Sequence, residues 1–235
     1  MKFPILLPNV FNHPFTYESD IKLKVGDFVE VPFGKTKITG VVWNEFEKNN
    51  SKKFKIKKVI NKLDIPSLKK NTLDFLNWFS EYNIVPKGMA LKLVLTGGKE
   101  LKSIDQKFYD SLTFNCYDNP IELTNDQKKS LEQINISNKR FNVHVLQGTT
   151  GSGKTFVYFE ALKNVLVKGF QGLILLPEIG LTTQFEKKFI EFFKFKPAIW
   201  HSGITKKNKK IIWEGIIRGK ISVVIGARSS LFLPF

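Results

Sequence analysis

The chain has 235 residues, 37 Lys+Arg against 21 Asp+Glu for a formal charge of +16, 42% hydrophobic residues including 22 phenylalanines, and one cysteine. That length allows one large domain or two ordinary ones, and the apolar content can build a core, which excludes disordered, collagen-like and low-complexity classes. Cys116 alone makes neither an internal disulfide nor a thiolate zinc site, so the composition fits a reducing compartment.

The start, Met1 to Val10, is apolar but short and interrupted by Pro4 and Pro8, and no later apolar run approaches membrane length, so no membrane association is expected. Val25 to Trp43 combines β-branched and aromatic residues with Gly26, Gly34 and Gly40 at turn or bulge positions and reads as β structure. Phe54 to Ile60 alternates in the same way, with the polar stretch Asn44 to Lys53 as an exposed hairpin loop between the two. Leu73, Leu76, Phe79 and Tyr82, with Phe75 and Trp78 beside them, recur at helical spacing; this predicts an amphipathic helix over 72–83 whose aromatic stripe faces the core. From Gly97 to Glu122 the pattern weakens, with breaks at Gly97-Gly98 and Asn119-Pro120, which places a linker at 99–122 between domains over 1–98 and 123–235.

The last third changes character. Phe141 to Gln147 reads as a strand, Gly153 to Lys168 as a helix, Leu173 to Leu176 as a strand and Thr182 to Phe195 as a helix. Ala198 to His201, Lys206 to Arg218 and Ile221 to Ile225 continue the alternation. Short apolar strands separated by helices imply right-handed crossovers and a parallel sheet with ligands at the carboxyl ends of its strands. The fold class is therefore α/β: a small β-rich amino-terminal domain followed by a parallel-sheet lobe.

Residues 1–98 carry 16 basic and 9 acidic groups (net +7), 99–122 carry 3 and 5 (−2), and 123–235 carry 18 and 7 (+11). Such a field attracts nucleic acid, acidic lipid or nucleotide. A coding sequence rich in A and T would also enrich lysine, and only Arg140, Arg218 and Arg228 are arginine. Charge alone names no partner.

Gly148-Thr149-Thr150-Gly151-Ser152-Gly153-Lys154-Thr155, at the first strand-to-helix turn, satisfies G-x-x-x-x-G-K-[ST] in full. Glycines let the backbone wrap a phosphate closely, and the helix start adds about half a positive charge. Lys154 can reach the β and γ phosphates of ATP, and the Thr155 hydroxyl can ligate Mg²⁺. A dinucleotide fingerprint is excluded, because its third glycine would fall on Phe156. Hydrolysis also needs an acidic strand end, yet Asp126 is the last aspartate and no Asp-Glu pair occurs. Glu178 follows a strand, but between Pro177 and Ile179-Gly180 it reads as an edge or helix-start residue.

The P-loop, Leu175-Leu176-Pro177-Glu178-Ile179-Gly180-Leu181-Thr182, His201-Ser202-Gly203 and Val223 to Phe235, with Gly226-Ala227-Arg228-Ser229-Ser230-Leu231-Phe232-Leu233-Pro234-Phe235 at its end, resemble in order and spacing the first RecA-like lobe of the PriA-type replication-restart helicases (primosomal protein N′ family). Pro14-Phe15-Thr16-Tyr17 and Val31-Pro32-Phe33-Gly34-Lys35 resemble the same family's small β domain, which captures a 3′ end at a stalled fork. The resemblance implies a terminal-nucleotide pocket from Phe15, Thr16, Tyr17 and Gly34, although a packed β core with a turn at Gly34 explains these residues equally well. It implies an adenine contact from Gln127 in Leu123-Thr124-Asn125-Asp126-Gln127, a segment that also reads as a helix start capped by Thr124 or Asn125. It implies single-strand backbone contacts from Pro177, Gly180, Thr182, Gly226, Arg228 and Ser229, with His201 as readily a structural histidine as a DNA contact.

The function implied is an ATP- and Mg²⁺-dependent 3′-to-5′ DNA helicase acting on forked and single-stranded DNA in the bacterial cytoplasm at the nucleoid, with primosome proteins and single-strand-binding protein as partners. Two departures bear on this. Only residues 99–122 stand where the family usually has a winged-helix domain, and the Asp-Glu-Glu-His segment, the second lobe and the cysteine-rich zinc module are absent. The sequence thus reads as an amino-terminal fragment that binds ATP weakly and hydrolyses it negligibly. A non-enzymatic module holding DNA 3′ ends and single strands is the second reading. Another P-loop enzyme, such as a nucleotide kinase, is disfavoured by the lack of any later aspartate.

Overall fold

The structure, a computed structural model, describes residues 1–46, 56–95, 106–115, 122–136, 141–177 and 183–235. The amino-terminal part is a six-stranded sheet of order β5-β2-β1-β4-β3-β6, made of β1 (Lys2–Leu6), β2 (Phe15–Glu18), β3 (Phe28–Phe33), β4 (Thr36–Val42), β5 (Lys57–Lys58) and β6 (Asn61–Lys62). All of its pairings are antiparallel except β2 with β5. The β region predicted over 25–43 is the β3–β4 hairpin. Of the alternating run 54–60 only β5 forms a strand among the described residues, and most of the loop expected over 44–53 lies outside them.

Successive side chains of a strand point to opposite faces, and here both faces are buried. Ile5, Tyr17, Val29, Val31 and Val42, joined by Leu7 and Leu23, form a core on one face. Leu6, Phe28, Val41 and Trp43, one residue out of phase, join a second core on the other. Against this second face pack α1 (Lys70–Tyr82) through Leu73 and Leu76, and α2 (Lys87–Val94) through Ala90, Leu91 and Val94.

The carboxyl-terminal part carries a parallel sheet of order β7-β9-β8, from β7 (Gly172–Leu175), β8 (Ala198–Trp200) and β9 (Val223–Gly226). Around it lie α4 (Asn125–Ile136), α5 (Lys154–Val167), α6 (Thr183–Phe193), α7 (Lys206–Ile217) and a 3-10 turn at Arg228–Phe232. Phe159 of α5 meets Phe189, Phe192 and Phe193 of α6 at centroid distances of 5.1 to 5.7 Å, the aromatic centre of a core that Leu166, Val223 and Ile225 complete on one face of this sheet. The helices and strands expected from alternation are present, with one exception. Residues 141–147 form no strand: Phe141, Val143 and Val145 are 81%, 72% and 90% exposed. A strand is held by its neighbours' backbone groups and marginal without them, and β7, the edge nearest in chain order, pairs only with β9 among the described strands.

The two parts share one core. Phe28 of β3 meets Trp213 of α7 edge to face at 5.6 Å, and Ala198, Trp200, Ile212, Ile216 and Val224 belong to the same apolar cluster as Leu6, Trp43, Leu76 and Leu91. The described part of the connecting segment joins it: α3 (Gln106–Asp110) and the turn after it bury Tyr109 and Leu112 there, and the Tyr109 hydroxyl donates to the Ile211 carbonyl at 3.0 Å. Burial, with the Glu214 carboxylate adding to it, pushes the Tyr109 phenol up to about 12. Arg218 seals the rim, donating to the Glu214 carboxylate at 3.0 Å and to the Asp64 carbonyl at 2.6 Å. The indole N–H groups of Trp43 and Trp213 are buried without partners, so shape filling, not polar pairing, selects tryptophan here.

Trp213→Ala is expected to cost about 3–5 kcal/mol by leaving a cavity in the shared core. Thermal unfolding followed by circular dichroism should show one transition moved as a whole; a sheet that melts at its old temperature would mean that the two parts are independent.

Asp27, buried at the foot of β3, takes hydrogen bonds from Lys62 Nζ (2.7 Å), Ser67 Oγ (2.6 Å) and the Lys24 N–H (2.9 Å). Burial raises its pKa, but these three donors outweigh it and hold the carboxyl below its ordinary value. Its stabilisation is thus complete above the unfolded carboxyl pKa of about 3.9 and lost as pH falls through the lower folded value. Asp27→Asn should lower stability by about 2 kcal/mol at neutral pH, with the difference from the native chain shrinking in acid, measured by urea unfolding at several pH values.

Candidate nucleotide and nucleic-acid sites

The P-loop stands where its sequence places it, as the turn into α5. Gly153 caps that helix at φ +78°, a left-handed conformation that glycine takes without strain, and a Cβ there would also run into the Gln127 amide. Lys154 reaches back over the loop, its Nζ donating to the carbonyls of Gly148 (2.6 Å) and Thr149 (2.7 Å). These two contacts hold the ammonium against the loop's own backbone. The Thr155 hydroxyl accepts from Tyr158 at 3.3 Å.

Gln127 is part of the loop's support. Its backbone N–H meets the Thr124 hydroxyl at 3.4 Å while its own Oε1 accepts from the Thr124 N–H at 2.9 Å, the reciprocal arrangement of a capping box. Thr124, not Asn125, is therefore the cap. The remaining Gln127 donor, Nε2, goes to the Ser152 carbonyl at 3.1 Å, tying α4 to the P-loop.

Thr150 to Thr155 line a cavity of about 720 Å³ together with Phe156, Phe159 and residues of α6. Lys188 and Glu191 of α6 face it, and sequence reading missed both because nothing local marks a surface charge of one helix as facing another's amino terminus. The loop's cradle and its lysine fit a polyphosphate. Among the described residues no group of three or more His, Cys, Asp or Glu gathers, so Mg²⁺ would find Thr155 and the phosphates themselves and no carboxylate cage. The single cysteine does not fit zinc.

A second cavity, about 840 Å³, opens at the carboxyl ends of β7, β8 and β9, where parallel sheets bind ligands. Pro177, Arg228 and Ser229 line it, joined by Leu175, Ala227 and Ser202, the last not singled out from sequence. Arg228 and Ser229 are exposed and available to phosphate oxygens. Gly226, buried at the end of β9, is closely packed: a Cβ there would lie 2.7 Å from Ser230 Oγ and 2.9 Å from the Trp200 carbonyl. The His201 ring accepts from the Gly203 N–H at 3.1 Å and shapes its own turn. Glu178, Gly180 and Thr182 lie outside the described residues.

In the amino-terminal sheet the four residues expected to form a pocket separate. Phe15 and Tyr17 share one face of β2 and Thr16 points to the other. Tyr17 is buried, donates to the Pro32 carbonyl at 3.2 Å, and has its phenol pKa raised by desolvation, so it is a core residue. Phe15 gathers Phe11 (5.3 Å), His13 (4.9 Å) and Phe33 (5.5 Å) into a half-exposed aromatic cluster. Gly34 is the first residue of the two-residue β3–β4 turn, at φ +59° with open space around it, and its carbonyl accepts from Lys57 Nζ at 3.4 Å. Aromatic faces beside a lysine are the elements with which proteins hold an unpaired nucleotide. Phe11, His13 and Lys57 were not legible as members, since only the β1–β2 loop and the parallel pairing of β5 with β2 bring them there.

Comparison with known proteins decides the family. A family model described as 3′DNA-binding domain (3′BD) matches residues 4–96, and one described as DEAD/DEAH box helicase matches residues 124–235. The replication restart protein PriA of Rickettsia conorii is 40% identical over 98% of this chain, and that of Rickettsia felis 41% identical over the same share. The chain belongs to the PriA replication restart family. It spans 35% of the length of these relatives. The PriA of Bacillus subtilis is 38% identical over 49% of this chain. Membership agrees with a β-rich sheet followed by an incomplete RecA-like P-loop lobe, and no described helix is long and apolar enough to cross a membrane.

Gly153→Ala should abolish nucleotide binding without unfolding the chain, because the left-handed turn strains any side chain there and the added methyl displaces the Gln127 amide that braces the loop. Titration with a fluorescent ATP analogue checks it, and unchanged affinity would show that the loop holds no phosphate in this conformation.

Proposed function

We propose that the chain is the DNA-engaging and first nucleotide-binding portion of an ATP-dependent 3′-to-5′ DNA helicase that acts at stalled or abandoned replication forks. In this reading residues 1–98 hold a nascent 3′ end, 99–122 connect, and 123–235 form the first part of the ATP-binding lobe. The observation that carries it is the P-loop itself, a glycine-rich turn into α5 with Lys154 folded back along it and Thr155 at the helix start.

The roles follow from the residues. Gly148 to Gly153 cradle the phosphates of ATP, Lys154 neutralises them, and Thr155 supplies one oxygen to the Mg²⁺ that accompanies them. Bound nucleotide would supply the free energy of phosphoryl transfer. Arg228 and Ser229, at the strand ends beside Pro177, fit the backbone of a single strand, with Gly180 and Thr182 assigned there by family resemblance. Phe15, Phe33, Gly34 and Lys57 fit a terminal nucleotide. By family resemblance the whole protein meets primosome proteins and single-strand-binding protein in the bacterial cytoplasm, at the nucleoid.

Purified 1–235 is expected to bind ATP weakly through Lys154 and to hydrolyse it negligibly with or without DNA, since among the described residues Glu191 of α6 is the one carboxylate lining the loop's cavity and no Asp-Glu pair follows the loop in sequence. Substantial DNA-stimulated hydrolysis abolished by Lys154→Ala would overturn that reading. A strand ending in a 3′ hydroxyl should bind several-fold more tightly than the same strand with a 3′ phosphate, and Phe15→Ala should erase the difference; equal affinities for the two native ends would remove the pocket.

A further inference from the structure

The aromatic stripe of α1, expected to face the core, is divided. Phe79 is half-buried and packs on Phe232 at 4.9 Å, while Trp78 and Tyr82 are 55% and 73% exposed. The exposed rings are ordered. Phe75 stacks on Trp78 at 6.0 Å and 30°, and Trp78 stacks on Tyr82 at 5.1 Å and 21°. A near-parallel ladder thus runs along the outside of the helix over about 10 Å of its axis, the length of roughly three stacked bases. Its outermost face, on Tyr82, is open.

The ladder has a neighbour at each end. At its start Phe75 touches Phe232 at 5.6 Å, the last residue of the turn whose Arg228 and Ser229 line the strand-end cavity. At its finish the end of α1 walls a cavity of about 410 Å³ with Glu81 and Ile84 on one side and Asn12 and Lys87 on the other. The Asn12 side chain accepts from the Lys87 N–H at 3.0 Å, and the Phe11 carbonyl from the Gly88 N–H at 3.1 Å, so this cavity adjoins the Phe11, His13, Phe15 and Phe33 cluster. The ladder on α1 therefore reaches the turn of the candidate strand-end site at one end and, across this cavity, the neighbourhood of the candidate 3′-end site at the other.

We propose that the Phe75, Trp78 and Tyr82 ladder is a base-stacking platform for single-stranded DNA lying between these two sites. The proposal rests on the DNA-binding reading above and deepens it. Stacked rings presenting a free face accept a base whatever its sequence, which suits a strand that is tracked and not read. The charge is complementary: residues 1–98 carry a net +7, and Lys69, Lys70, Lys87 and Lys92 outnumber Asp74 and Glu81 on and around α1 and α2. Because those two carboxylates lie one turn to either side of Trp78 on α1, the strand meets the ladder with its bases, and its phosphates lie toward Lys70 at the start of α1 and Lys87 at the start of α2.

The chain reports on this site by itself. Trp43, Trp200 and Trp213 are buried, so of its four tryptophans Trp78 alone faces solvent. A short oligothymidylate carrying a 3′ phosphate, which bypasses the terminal pocket, should quench tryptophan emission of 1–235 on binding. Trp78→Phe should bind within about two-fold of the native chain but lose the quench, and Trp78→Ala with Tyr82→Ala should weaken binding at least about five-fold. Because both side chains are exposed, the variants should melt as the native chain does. Binding without quenching, or equal affinity of the double variant, would overturn the platform and leave the DNA-binding reading standing. No binding of any strand by the native chain would overturn both. Dimers in sedimentation that the double variant disperses would assign the face to a second copy of the chain instead.

Discussion

The structure depends on one constraint: the amino-terminal sheet has apolar side chains on both faces and cannot close its own second face. Helices α1 and α2 cover part of it, and Trp213 of the lobe covers more, so the sheet is completed by the module that follows it. Neither part is a globule with a finished surface at this boundary. Removing a shared core of large aromatic and aliphatic side chains from water at about 25 cal/mol per Å² readily exceeds what a polar interface between two domains would contribute. The connector takes part in this burial through Tyr109 and Leu112, and the Glu214–Arg218 pair closes the rim by holding the Asp64 carbonyl. A binding event on the sheet would therefore reach the lobe without crossing a hinge in the described residues.

The lobe applies the same economy to its phosphate loop. Gln127 completes the capping box of α4 and braces the P-loop through Ser152, with its amide beside the left-handed Gly153. Lys154, the group most costly to leave without a partner, rests on carbonyls that the loop has left over at its own turn.

Much of this was legible in the residues. The P-loop spacing located the phosphate site, helical periodicity found α1, α5, α6 and α7 to within a few residues, and the strand-end segments carried the family's signature. What could not be read was what each face would meet. Periodicity places Phe75, Trp78, Phe79 and Tyr82 together but is silent on where the neighbouring helix ends, so half of a stripe expected in the core lies in solvent. Tyr17 shares a strand face with Phe15, and what buries it and not Phe15 is the packing of that face, where its hydroxyl reaches the Pro32 carbonyl. The two-residue strands β5 and β6 have no pattern of their own; only their pairing to β2 and β3 makes them strands and delivers Lys57 to Gly34. The alternation over 141–147 expresses a tendency to extend, which a sheet must still accept.

That last segment bears on how the chain behaves in a crowded solution. Phe141 to Gln147 carries no formal charge and no proline, and β7 presents an apolar edge lined by Leu173 and Leu175. Exposed Phe141, Val143 and Val145, and a strand edge that pairs with no described strand on its outer side, are both features that favour intermolecular sheet formation. The molecule's charge of +16 then acquires a role separate from any ligand: at low ionic strength it keeps copies apart long enough for these edges not to find each other, and salt, by screening it, lets them associate.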